Sequence, residues 1–101
     1  MQVQFQEIYI KGLCYDLTIS FEWQYMGFNF IDEAVGWQHD YSITMLLLDS
    51  VRQYVESEDD FNECIVLSPK QRYDIRDWVI DELLSNKEKY GIVHIKKQDH
   101  E

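Results

Sequence analysis

Basic side chains are scarce in this sequence: nine Lys and Arg stand against nineteen Asp and Glu, for a formal charge of −10. The shortage is uneven. Residues 1–66 hold twelve acids and only Lys11 and Arg52 as bases, while residues 67–101 hold seven of each sign. That distribution counts against naked nucleic acid as a direct partner, because phosphate binding needs clustered Lys and Arg. A basic surface on another protein fits better, since complementary fields accelerate encounter. Acidity also has a plainer use, which is to keep a small protein soluble.

Cysteine is nearly absent. Cys14 and Cys64 are isolated, with no CxxC pairing and no cationic neighbour in sequence that would depress a thiol pKa. They read as two buried free thiols of a reducing compartment. Long apolar runs are missing too: Met45-Leu46-Leu47-Leu48 falls far short of the roughly 20 residues of a membrane helix. Met1-Gln2-Val3-Gln4 has neither the basic nor the apolar region of a secretory signal. A cytoplasmic protein is expected.

Catalytic motifs are absent as well. There is no P-loop, GxGxxG, GxSxG or HExxH. His39, His94 and His100 lie on unrelated segments. His39-Asp40 and Asp32-Glu33 have the right atoms for a metal but not the spacing. With no candidate set of mutually placed groups, no enzyme, metal or cofactor is expected.

What the chain does have is apolar content of 46% and aromatic content of 15%, enough for one self-standing domain over residues 1–101. From Tyr15 the pattern alternates cleanly. Tyr15, Leu17, Ile19, Phe21, Trp23 and Tyr25 fall on one face, with Asp16, Thr18, Ser20, Glu22 and Gln24 on the other. Period two over eleven residues predicts a half-buried antiparallel strand. Val3–Ile10 is rich in β-formers, Lys11-Gly12 supplies a turn, and a phase change around Glu7 predicts a bulge. A hairpin over 3–25 follows.

Residues 26–40 show no clean period and read as a loop, with a short strand near Phe28–Ile31. Its aromatics have two readings: they cover one end of the core, or they bind something. Residues 41–55 fit two templates. Tyr41, Ile43, Met45 and Leu47 alternate as in a strand; Ile43, Leu46, Leu47, Ser50, Val51 and Tyr54 trace a helical face. Residues 56–63 form an acidic connection, and Cys64–Leu67 a short apolar run. Ser68-Pro69 is a strong helix start, with Ser at the N-cap and Pro at the first helical position. Ile75, Trp78, Val79 and Leu83, widened by Ile80 and Leu84, predict an amphipathic helix over 69–85. A final short strand is expected at 92–95 and a frayed tail at 96–101.

The expected fold is therefore α+β. An N-terminal antiparallel hairpin is extended to a three- or four-stranded sheet, with the C-terminal helix packed on one face. The layout of residues 3–84, and Leu67-Ser68 followed by the Ile75/Val79 spacing in particular, resembles small phage-encoded accessory proteins of unassigned function. In that pattern the segment before the acidic connection is a strand, which favours a strand at 41–55. The resemblance implies an accessory gene, and small acidic proteins of that kind often inhibit host enzymes.

The functional expectation is an acidic protein-binding inhibitor. Its partner would be a basic surface on a host nuclease or other nucleic-acid-binding protein, with no direct contact to nucleic acid or membrane. The binding candidates are two acidic patches: Asp32, Glu33 and Asp40 with Trp37 as aromatic anchor, and Glu56, Glu58, Asp59, Asp60 and Glu63. Arrayed carboxylates can mimic spaced phosphates. The alternatives are a homo-oligomeric assembly module, such as a homodimer, and an immunity protein against a toxin nuclease. A small-molecule pocket lined by Trp23, Tyr25, Trp37 and His39 ranks below these.

Overall fold

The alternation that begins at Tyr15 is realised as a strand whose inward side chains build the core. In the computed structural model, which describes residues 1–64 and 66–94, β1 (Gln2–Ile10), β2 (Leu13–Asp32), β3 (Gly36–Val55) and β4 (Asp60–Glu63) form one antiparallel sheet in sequence order. The helix α1 (Pro69–Ser85) follows and packs on one face. The α+β expectation holds, with four strands.

The predicted first turn and bulge are both present. Lys11 and Gly12 carry φ of +51° and +83°, the positive pair that a two-residue hairpin turn of matching twist requires. The β1–β2 register slips between Phe5 and Ile8, where Glu7 takes a positive φ of +52°. The Glu7 N–H, turned out of the ladder there, donates to Asp16 Oδ1 at 2.8 Å. An acid on the outer face of β2 thus satisfies a backbone donor that the bulge leaves free.

Tyr15, Leu17, Ile19 and Phe21 are all but fully buried, and they meet Ile75, Val79 and Leu83 of α1, each at 0% exposure. Phe5 joins them edge-on to Trp78, with ring centroids 5.3 Å apart and planes at 89°. Ser68 caps α1 as expected. Its Oγ accepts from the Gln71 N–H and the Gln71 side chain accepts from the Ser68 N–H, a closed capping box. Gln71 Nε2 also donates to the Tyr15 hydroxyl at 3.3 Å, tying the first turn of the helix to the sheet.

Four expectations need correction. Residues 26–40 are not a loop: strand pairing continues to Asp32 on one side and starts again at Gly36 on the other, leaving only 33–35 as turn. Pairing with β3 supplies what the hydrophobic pattern lacks, and register slips at Tyr25/Gly27 and Phe30/Asp32 are what scrambled the period. The connection 56–63 contains a short 3-10 turn at Glu56–Glu58 and then β4, which pairs with Arg52–Val55. Residues 92–94 are not a strand; Ile92 is buried as a single plug in the core, and residue 95 with the tail 96–101 lies outside the described residues. The two cysteines are free, as expected, but half-buried rather than buried. Residues 41–55 are a strand throughout.

The unequal strand lengths shape the molecule. β1 pairs with β2 only as far as Ser20, and β4 covers only the last four residues of β3. Beyond that, β2 and β3 continue together as a two-stranded arm, and the long axis reaches 58 Å.

Candidate functional site

The arm carries an aromatic row. Because Trp23 and Tyr25 continue the inward phase of β2, the row starts at the edge of the core and runs outward. Trp23 meets Tyr41 at 5.8 Å, Tyr25 meets Tyr41 at 5.5 Å, Phe28 meets His39 at 5.2 Å and Phe30 meets Trp37 at 5.9 Å between ring centroids. Cross-strand pairs of this kind stabilise a two-stranded ribbon by about 0.2–1 kcal/mol each. Gly27, at φ +97°, takes up the slip that keeps Phe28 facing His39.

The base of the row is clamped. Tyr25 Oη lies 2.7 Å from His39 Nδ1, and the His94 ring stacks on Tyr25 at 3.9 Å with planes 9° apart. The His94 N–H donates to the Tyr41 hydroxyl at 3.0 Å, and Lys87 Nζ stands 5.7 Å above the Tyr41 ring. The segment following α1 therefore grips the arm where it leaves the body.

Among the described residues, none covers the outer half of the row. Trp37 is 62% exposed and Phe28 55%, and Phe30, Met26, Ile31 and Val35 are exposed around them. Asp32, Glu33 and Asp40 stand at the same end. Two of these carboxylates also have local tasks. Asp32 Oδ1 accepts the Val35 N–H at 2.8 Å and shapes the tip turn, while Asp40 Oδ2 receives Asn29 Nδ2 at 3.4 Å. Glu33 is exposed.

The second predicted patch lies elsewhere. Glu56, Glu58, Asp59, Asp60 and Glu63 sit at or beyond the opposite end of the twenty-residue β3, in a molecule whose long axis is 58 Å. Three of these five are engaged in their own turn: Tyr54 Oη donates to Asp59, Asn62 Nδ2 to Glu58 Oε1, and the Phe61 N–H to Asp60 Oδ1. The hydrogen bond to Asp59, followed by desolvation, raises the Tyr54 hydroxyl pKa. The fold places Asp32, Glu33 and Trp37 in the outer part of the arm, puts Asp40 on the face opposite the aromatic row, between His39 and Tyr41, and separates all four from the 56–63 cluster.

The proposed pocket of Trp23, Tyr25, Trp37 and His39 does not form as an enclosure; the four lie along an open row, with Trp37 well exposed. Among the described residues no three His, Cys, Asp or Glu side chains converge as a metal site would need. Cys64 has its thiol pKa pushed up, mainly by burial, which leaves it a poor nucleophile. No helix among the described residues is long and apolar enough to cross a membrane. Exposure of Phe28 and Phe30 was the main feature the sequence did not display, although their spacing of two beside Trp37 is a signal of a shared face.

Comparison of the chain with family models, curated proteins and solved structures finds no match.

Proposed function

We propose that this protein is a binding module that docks the aromatic, acid-rimmed end of its β2–β3 arm onto a basic surface of a nucleic-acid-handling protein and blocks it. The observation that carries the reading is the exposed stacked pair Phe28 and Trp37, held on a paired hairpin whose tip carries Asp32 and Glu33, with Asp40 on its opposite face. Exposed aromatics on a pre-organised scaffold are what hot spots are made of, since little conformational entropy is lost on docking. Carboxylates around them match Arg and Lys on the partner, and guanidinium groups also stack on aromatic faces. An inhibitor of a host nuclease, of the kind a phage would encode, is the specific form of this reading. It needs no catalytic residues.

The test is affinity capture from bacterial lysate with tagged protein, washed at low and then high salt, beside a Phe28→Ala/Trp37→Ala variant. Recovery of one basic nucleic-acid enzyme at low salt, lost at high salt and lost in the variant, supports the reading and names the target. Equal recovery by the variant overturns it.

A second reading is favoured by the arm's unpaired outer edges, which lie beyond the reach of β1 and β4 and offer backbone groups to another copy. It predicts a concentration-dependent, salt-insensitive homodimer in sedimentation experiments.

A further inference from the structure

A cavity lies remote from the arm tip. About 540 Å³ of space opens between the outer edge of β3 and the first half of α1, where β4 is too short to cover the sheet. Its apolar wall is Leu46, Leu47, Leu48 and Leu67, with Cys64 beside them, and its charged groups are Arg72, Arg76 and Asp49. Its volume falls within the range of small-molecule sites.

The two arginines are out of keeping with the rest of the chain. They stand at i and i+4 on α1, so their side chains leave the helix side by side, and like charges so placed repel. In a protein of formal charge −10, neither has a carboxylate partner among the described residues, where the one ion pair is Lys70–Asp74. Arg76 Nη1 donates to the Leu46 carbonyl at 2.7 Å, which holds this guanidinium against the edge of β3 and leaves its other donors unspent. Arg72 makes no side-chain hydrogen bond among the described residues. Asp49 borders the cavity, but its carboxylate is taken by Ser20 Oγ and Gln2 Nε2. Ser20 alternates with the buried Ile19 and Phe21, so that carboxylate is on the sheet face turned away from α1.

We infer that this cavity is a binding site for a small phosphate monoester, the phosphate held between Arg72 and Arg76 and its organic body lying on Leu48 and Leu67. Two planar forks approaching from neighbouring turns saturate the three terminal oxygens of a tetrahedral dianion, whereas a single fork already satisfies a carboxylate. Occupancy removes the repulsion between the two guanidiniums. The site is independent of the arm and of any protein partner.

Phenyl phosphate, inorganic phosphate and benzoate are titrated separately, at constant ionic strength, into the full chain followed by amide chemical-shift mapping. The expected result is saturable shifts at Leu46–Asp49 and Leu67–Arg76 with phenyl phosphate, weaker binding of the other two, and about tenfold lower affinity in Arg72→Gln, the loss of one charge-assisted contact. Arg72 is exposed, so this variant keeps the fold, checked by its circular dichroism; Arg76→Gln is avoided because Leu46 depends on it. Absence of saturable shifts, equal affinity for benzoate or inorganic phosphate, or unchanged affinity in Arg72→Gln each overturns the assignment.

Discussion

Phe28 and Trp37 stack across the β2–β3 ladder with ring centroids 6.0 Å apart and planes 19° from parallel, yet both remain more than half exposed. A monomer gains little by ordering two large rings in water, and such a pair is worth ~0.5–1.5 kcal/mol beyond the area it buries. The double variant Phe28→Ala/Trp37→Ala is therefore expected to unfold within about 2 kcal/mol of the parent in urea. Binding to the captured partner should fall by about 2 kcal/mol or more, thirtyfold in Kd, if these rings are its anchors. A large stability loss with unchanged affinity would make them structural.

The two acidic ends allow an internal control, because β3 holds them at opposite ends of the molecule. Asp32→Asn/Glu33→Gln/Asp40→Asn is expected to slow association with the partner and flatten its salt dependence. Glu56→Gln/Glu58→Gln/Asp59→Asn/Asp60→Asn/Glu63→Gln should leave both nearly unchanged. Stopped-flow association rates at several salt concentrations separate the sets, and the reverse ranking would move the docking surface to the β3–β4 end.

Helix α1 gives two graded stability tests. Ile75 is fully buried against the sheet, so Ile75→Ala is expected to cost about 2–5 kcal/mol. Ser68→Ala opens the capping box and should cost about 1 kcal/mol. Urea denaturation followed by Trp fluorescence reads both. A Ser68→Ala cost as large as that of Ile75→Ala would mean that the helix start, not its buried stripe, dominates docking.

Tyr90 carries a pH dependence of predictable sign. Burial first, and then the 2.7 Å hydrogen bond to Glu82 Oε2, push its hydroxyl up to about 12 from an ordinary 10.0. The folded state holds this proton more tightly than the unfolded one. Its contribution to stability is accordingly complete below pH 10.0 and is lost as pH rises from there towards 12. Tyr90→Phe should cost about 1 kcal/mol at neutral pH, and its deficit should shrink in denaturation measured through that alkaline window. A deficit constant across the window would show that the hydroxyl does not titrate with folding.

Much of the body was legible because it obeys local rules. Tyr15 to Tyr25 alternates without interruption, Lys11-Gly12 meets the turn's need for positive φ, and Ser68-Pro69 with Gln71 marks a helix start. The stripe Ile75, Val79 and Leu83 announces the buried face of α1. The charge surplus of residues 1–66 is likewise a property of sequence alone.

Tertiary structure decided the rest. Strand and helix templates fit residues 41–55 equally, and only the ladder to β2, with Leu17 opposite Val51 and Phe21 opposite Leu46, selects the strand. Residues 26–40 lack a period because register slips break it, so their strand character exists only as pairing between two segments. That pairing turns apparent loop aromatics into an exposed row and places Asp32, Glu33 and Asp40 at its end, far from the 56–63 cluster. At the other end, β4 covers only the last four residues of β3, which leaves open the space facing Arg72 and Arg76. Local sequence determines which residues favour a strand, a turn or a helix; how far two strands run together, and what they leave uncovered, depends on contacts between residues distant in the chain.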